Sequence, residues 1–199
     1  MAQHEVAILD ANAEALGANM DEVMRTAAEH LANALDGAPK PIWILCGPGN
    51  NGGDGFRLAT MLEDCKVVAT HDKQKNALAQ RAREDWKGET HSIENLPSQP
   101  PAVIVDCLLG AGSHGKPRGE ILRLMEAIPG RPMALACDMP TGCGSGVSFN
   151  AFRTVTFEAP KSNMIDSNGK LLPEVGDLFI APIGWPEETL DPGPGDLLR

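Results

Sequence analysis

Residues 47–55 read Gly47-Pro48-Gly49-Asn50-Asn51-Gly52-Gly53-Asp54-Gly55, five glycines interleaved with two carboxamides and one carboxylate. Bare glycine backbone is free to take positive φ, and N–H groups at a helix start make a seat for an anion such as phosphate. A plain strand-to-helix turn needs only two or three residues and one glycine, so the segment is read as a phosphate-binding loop. A side chain at Gly53 is then expected to block a ligand without disturbing the fold. Gly47, Gly49 and Gly52 also satisfy G-x-G-x-x-G, and Asp72, about 20 residues on, stands where a dehydrogenase of that pattern holds a ribose. Two features weigh against that alternative. Asp54 puts a carboxylate in the cradle, which repels phosphate unless a cation or polar group meets it, and Asn50-Asn51 supply amides that such a turn does not require. No Gly-Lys-Ser/Thr follows, so the segment is not a P-loop.

Two further acids, Asp106 and Asp138, end apolar runs and are followed by glycine-bearing sequence, at residues 110–118 and 138–142. An isolated strand-end Asp is read as a cap of the next turn; two of them facing one glycine loop are read as functional. Lys161 is read either as a surface residue or as a phosphate contact, and Arg118 as a second phosphate contact. The five histidines show no metal-ligand spacing, and His114, the one in a candidate loop, is read as solvated. Ser145 and Ser148 lack a His/Asp partnership for nucleophilic catalysis.

These residues need elements to position them. Residues 5–35 carry apolar positions at three-and-four spacing (Met20, Val23, Met24, Ala27, Ala28, Leu31, Leu35), split by Gly17, which predicts two helices with Asn19 or Asp21 capping the second. Strands are expected at 41–46, 65–70, 102–109, 132–138, 153–158 and 177–181, and helices at 56–63, 73–86 and 120–128. Such alternation predicts a parallel sheet with helices on both faces, with ligands bound beyond the carboxyl ends of the strands. Segments 47–55, 106–118 and 138–142 then share one edge of the sheet and form one candidate site. Residues 185–199, rich in Pro, Gly and acid, are expected to be a loose tail.

Composition narrows the partners. At 199 residues one domain is the simplest reading. The net charge of -10 argues against nucleic acid, which needs a Lys/Arg surface, yet it permits a dinucleotide, whose phosphates need only a few local N–H groups. No apolar run is long enough to cross a bilayer. Five cysteines, odd in number and without a Cys-x-x-Cys pair, are expected to be reduced and buried, and a cytoplasmic location follows.

The same segments resemble a known family. Asn50-Asn51-Gly52-Gly53-Asp54-Gly55 resembles the hallmark of the YjeF N-terminal domain, the NAD(P)H-hydrate epimerase family. Val105-Asp106-Cys107-Leu108-Leu109-Gly110-Ala111-Gly112 is similar to its Asp-Ala-Leu-Leu-Gly-Thr-Gly element, and Asp138-Met139-Pro140-Thr141-Gly142 to Asp-Ile-Pro-Ser-Gly. Thr154-Val155-Thr156-Phe157 with Ala159-Pro160-Lys161 is similar to its late strand. Four such matches in order and spacing are specific, and they cover nearly the whole chain. Residues 143–150 are shorter than the family's loop, which implies a more open wall there, and Thr141 replaces Ser while keeping the hydroxyl. The leading arm reads Val23-Met24-Arg25-Thr26-Ala27-Ala28 in place of Glu-x-Ala-Gly.

The resemblance implies a three-layer Rossmann-like α/β sandwich, residues 1–199 forming a single domain with a helical arm at 1–38. It implies interconversion of the R and S forms of NADH and NADPH hydrated at C6 of the nicotinamide ring. Substrate would be held by Asn50, Asn51, Gly52, Gly53, Asp54, Gly110, Ala111, Gly112, Ser113, His114, Gly115, Lys116 and Asp138. One potassium ion per chain would be held by Asn51, Asp106 and Thr141. Asp138 is the expected acid–base residue, and no redox cofactor is needed because the nucleotide is the substrate. A homodimer, and a separate dehydratase as pathway partner, are further expectations. A nucleotide-binding or scaffold module of the same fold without turnover is the second reading, and the Rossmann dehydrogenase the third. Asp72→Ala separates the last from the first. Isothermal titration should find nucleotide affinity nearly unchanged, whereas a ribose-holding Asp72 would cost one to two orders of magnitude, about 1.4–2.8 kcal/mol.

Overall fold

The computed structural model describes residues 3–189. Its centre is a seven-stranded sheet, ordered β3-β2-β1-β4-β5-β6-β7, in which every pairing is parallel. The strands are β1 (Ile42–Cys46), β2 (Lys66–Ala69), β3 (Thr90–His91), β4 (Val103–Cys107), β5 (Met133–Cys137), β6 (Ala151–Phe157) and β7 (Asp177–Ala181). β1 and β4 are buried at all five positions, as apolar runs covered on both faces must be. The two-residue β3 left no period to read in the sequence. The helices are α1 (Gln3–Ala15), α2 (Met20–Ala34), α3 (Asn50–Ala59), α4 (Ala77–Asp85) and α5 (Gly119–Ala127). Among the described residues no helix is long and apolar enough to cross a membrane.

The helices divide as the alternation predicted. Val23, Met24, Ala27, Ala28 and Leu31 of α2 pack with Phe56 and Leu58 of α3 against Ile44, Val67 and Val105 of the sheet. On the other face Ile121 and Leu124 of α5 cover Trp43, Leu45 and Ile104. Helix α2 starts where Asn19 accepts a hydrogen bond from the Asp21 N–H at 3.1 Å, so Asn19 rather than Asp21 is the cap. Residues 190–199 of the expected tail lie outside the described residues, while Trp185 packs against the core.

The expected nine-residue loop is a third as long as its composition suggested. Only Gly47-Pro48-Gly49 connects β1 to α3, and residues 50–55 are the first turns of that helix, with Gly49 as its N-cap. None of the five glycines has a positive φ. Their function is to leave room. A Cβ on Gly52 would lie 1.9 Å from the Gly47 carbonyl oxygen, and one on Gly55 would lie 2.8 Å from the Cys46 sulfur and 2.9 Å from the Cys107 Cβ. Glycine inside a helix costs roughly 0.5–1 kcal/mol relative to alanine, so the close packing that these glycines permit, against the loop, the neighbouring helices and the sheet, must offset that cost at residues 52, 53 and 55.

Gly53 faces away from any ligand. Its Cβ would meet Met24 Cε at 2.6 Å and Ala79 Cα at 3.0 Å, between α2 and α4. Gly53→Val is therefore a folding mutation. It should destabilise by roughly 1–3 kcal/mol or more, seen as a lower urea midpoint by circular dichroism, and a wild-type midpoint would refute this account of the glycine.

Candidate functional site

The crossover after β1 runs through α3 on one face and the crossover after β4 through α5 on the other, while β1 and β4 are neighbours. This topological switch opens a crevice at the carboxyl ends of the strands. The Gly47 N–H donates to the Cys107 carbonyl at 3.0 Å, stitching the two strand ends together. A Cβ on Gly47 would lie 1.8 Å from the Leu108 carbonyl oxygen, so only glycine permits that stitch. Above it lies a cavity of about 380 Å³ lined by the α3 N-terminus, residues 108–113, Asp138 and Lys161, with Asp10 of α1 and Met20, Val23 and Met24 of α2 on the opposite wall. The 3₁₀ and loop segment after β7 contributes Ile183 and Trp185, held by their N–H groups donating to Glu158 at 2.7 and 3.5 Å.

Asp138 is the best-braced group in this cavity. It ends β5 with φ 65, left-handed backbone that non-glycine residues rarely adopt. Its N–H donates to Val155 at 2.8 Å, and its Oδ2 accepts from the Ala111 N–H at 2.9 Å. Its Oδ1 lies 2.7 Å from Lys161 Nζ. Lys161 is 2% exposed and donates further to the Phe157 and Ala159 carbonyls and the Thr156 hydroxyl, at 2.7, 3.1 and 3.1 Å. Lys161 is thus not the surface residue that one of its two readings made it, and it lines the cavity. It is a buried counter-ion for Asp138.

Two other carboxyl groups share the cavity. Burial pushes Asp54 well above the usual carboxylate range, reinforced by the charges of Asp138 and Asp10, and its hydrogen-bond partner is the Cys137 thiol at 3.9 Å. Burial, then Asp138, raises Asp10 to about 6, with Lys161 pulling the other way. Three carboxyls therefore face one buried ammonium, a balance that holds some of them protonated.

Asp106 lies below the cavity rather than in its wall. Fully buried, it accepts from the Thr141 hydroxyl and N–H, both at 2.7 Å, and from the Leu108 N–H at 3.3 Å. Thr141 Oγ1 in turn accepts from the Leu109 N–H at 3.1 Å. Burial raises Asp106 to about 6 against the lowering effect of these donors. Asp106 thus ties the loops after β4 and β5 together, as the capping reading allowed. Asn51 differs: it is 8% exposed, and both its amide nitrogen and oxygen are buried without a hydrogen-bond partner. The orphaned Asn51 amide oxygen, the Asp106 carboxylate and the Thr141 hydroxyl are hard oxygen donors of the type a large monovalent cation takes.

Of the expected substrate residues, Asn50, Asn51, Asp54, Gly110, Ala111, Gly112, Ser113 and Asp138 line the cavity. Gly110 sits where a Cβ would be 3.1 Å from Asp138 Oδ2 and 3.4 Å from Asn51 Cβ, so the three converge. Asn50 is held by Asn76, whose Nδ2 donates to its Oδ1 at 2.7 Å. Gly52 and Gly53 lie beneath the cavity, packed as described. His114 and Gly115 line a separate, shallower hollow with Cys143, Gly144 and Ser145, and Lys116 lines neither. None of residues 143–150 belongs to the main wall. Asp72 and Arg118 are exposed outside the cavity.

Sequence reasoning missed Asp10, Lys75 and the true place of Lys161, all of which line the cavity. Asp10 gave no signal because it lies on a separate helix far along the chain. For Lys161, the nearby pattern of Thr156 and Asp138 at the ends of adjacent strands was the available clue. Lys161→Met should destabilise by roughly 3–5 kcal/mol by urea denaturation, because it strands a buried carboxylate. Adding Asp138→Asn should recover part of that loss, and additive losses would show that the two side chains are uncoupled.

Comparison with known proteins fits this geometry. A family model described as YjeF-related protein N-terminus matches residues 17–163. The bifunctional NAD(P)H-hydrate repair enzyme Nnr of Thermanaerovibrio acidaminovorans is 35% identical over 78% of this chain and 34% of its own length. The Nnr of Escherichia coli is 32% identical over 86% of this chain and 36% of its own. The NAD(P)H-hydrate epimerase of Rhodopirellula baltica is 31% identical over 75% of this chain and 68% of its own. The chain thus spans about a third of the length of the bifunctional relatives. A sheet whose switch-point cavity is built by the hallmark segments, matched over most of its length by that model, makes this chain a member of the family of YjeF-related protein N-termini.

Proposed function

We propose that this chain interconverts the R and S forms of hydrated NADH and NADPH in nicotinamide nucleotide repair. The observation that carries the reading is the Asp138 carboxylate, braced by Lys161 and the Ala111 N–H in a cavity whose floor is a helix N-terminus. The names of the relatives, repair enzymes and an epimerase of NAD(P)H hydrate, support it.

The chemistry follows from the substrate. C6 carries a ring nitrogen and a hydroxyl, so the nitrogen lone pair can expel the hydroxyl and leave a planar cation. Water returning to either face gives either epimer. Both steps move a proton, and a positioned carboxylate is suited to that. The α3 N-terminus, its N-cap Gly49 making no side-chain hydrogen bond, suits a nucleotide phosphate, with Lys75 beside it. Gly110, Ala111, Gly112 and Ser113 form the wall against which the sugar and ring would lie. The reaction is redox-neutral, so no redox cofactor is required.

Asn51, Asp106 and Thr141 would hold one potassium ion. A bound cation supplies positive charge next to the phosphate seat, balancing acids that otherwise oppose an anionic ligand. The residues' own contribution is to pin the loops after β4 and β5, through Asp106 and Thr141, so that Gly110 and Asp138 keep their approach. The same reading carries a cytoplasmic location, a dehydratase on a separate protein as pathway partner, and a homodimer, for which exposed Phe179 and Ile180 on the edge strand β7 offer apolar surface.

One separated epimer incubated with the chain and followed by chromatography tests the activity. Wild type should equilibrate the epimers faster than buffer, and Asp138→Asn should lose roughly 10²–10⁴-fold while still binding nucleotide. Potassium should raise the melting temperature more than lithium, and Asp106→Asn should erase that difference. Wild-type exchange no faster than buffer would end the epimerase reading, and persistent nucleotide binding in that case would leave a non-catalytic binding module.

A further inference from the structure

Helix α1 places a carboxyl in the cavity that neither the family's hallmark segments nor the stretch matched by the family model includes: Asp10. The helix is seated by Asn12 and Ala13, 2% and 0% exposed, two and three residues further on, so the position of Asp10 follows from how α1 docks. Asp138 at the end of β5, Lys161 after β6 and Asp54 of α3 are the charged groups that act on it from the facing elements. Lys161 is the one buried cation among the described residues, and its three protons are already shared among Asp138, Thr156 and two carbonyls. Among the described residues Asp10 therefore has no counter-ion of its own. A carboxyl in that position holds its proton to higher pH than an ordinary one, whereas Asp138 has Lys161 as its ion-pair partner.

Epimerisation needs a proton given in one step and a proton taken in the other. Two carboxyls whose surroundings push them apart are the usual way to supply both. Asp54 is the other acid without a cationic partner, but it is 8% exposed and already hydrogen-bonded to the Cys137 thiol, so solvent reaches it less readily. Asp10 is only partly buried, so solvent can recharge it, and at about 6 it sits near neutrality, where a donor works best.

We infer that Asp10 is the proton donor to the departing C6 hydroxyl, leaving Asp138 to take the proton of the incoming water. The inference rests on the epimerase reading above. In the first step the Asp10 O–H bond breaks and its proton joins the hydroxyl. The C6–O bond then breaks, its electron pair leaving with water, and the ring nitrogen lone pair makes the C=N bond. In the second step a water oxygen bonds C6 from the opposite face, nitrogen regains its lone pair, and the water's proton passes to Asp138. Transfer of that proton from Asp138 to Asp10 restores both groups, and nothing is oxidised or reduced. The N-terminal helix is on this account part of the active site.

The test uses the full chain and one separated epimer of hydrated NADH. Asp10→Asn should lower kcat roughly 10²–10⁴-fold with KM nearly unchanged. In wild type, kcat should fall as pH rises through about 6, because the donor is lost as it ionises, and that limb should vanish in Asp10→Asn. Added acetate should partly restore Asp10→Ala, which it would not do for a merely structural side chain. A second readout needs no turnover: the Asp10 carboxyl carbon resonance should titrate near 6 and move lower in Asp138→Asn, which removes a facing negative charge. Wild-type kcat and an intact alkaline limb in Asp10→Asn would overturn the inference, as would a resonance in the ordinary carboxylate range that ignores Asp138→Asn. A wild-type chain that exchanges no epimer overturns the parent reading together with this one. Exchange alongside an indifferent Asp10→Asn overturns this one alone.

Discussion

The closeness of α3 to the sheet is the constraint on which the rest of this structure depends. Between the β1 strand end and the sixth helical residue, four positions (Gly47, Gly52, Gly53 and Gly55) have no space for a Cβ against a carbonyl, a neighbouring helix or a cysteine sulfur. Because the helix sits so low, its N-terminus opens directly at the switch point between β1 and β4 instead of above it. Asn51 and Asp54 are thereby carried into the crevice from one helical face, where residues on a loop would be free to turn to solvent. The small thiols of Cys46, Cys107 and Cys137 lie under the helix for the same reason, since larger side chains there would lift it.

A second constraint is electrostatic. The cavity gathers Asp10, Asp54 and Asp138 around one ammonium, and Lys161 is committed to Asp138 as a buried ion pair. The left-handed backbone at Asp138 costs on the order of 1–3 kcal/mol, held in place by its bonds to Val155, Ala111 and Lys161. The return for that strain is a carboxylate whose position is set before any ligand arrives, which is how charge-stabilising sites are made effective. Asp106 serves a different end: its three protein donors make it a tie between the loops that carry Gly110 and Asp138.

The central strands, both helical layers and the edge of the sheet that bears the site were legible because apolar periodicity is local. β1 and β4 read as short buried runs, α2 as a three-and-four stripe capped by Asn19, and the strand-end acids as residues on one edge once the sheet was parallel. The hallmark segments were legible as chemistry for the same reason, their residues being consecutive. Where local reading failed, the competing factor was packing. Glycine density was taken as conformational freedom, but here it is the signature of a helix pressed against a sheet.

By itself, then, the sequence determined the fold class, the position of the cavity-lining segments and the identity of Asp138 as the acid at the end of a central strand. Only the tertiary structure decided which side chains meet. Lys161 became a buried counter-ion because the chain after β6 folds back over the end of β5, 23 residues earlier in the sequence. Asp10 entered the cavity because α1 docks across it from outside the sheet. Charge pairing and desolvation depend on distances through space, and no periodicity along the chain encodes them.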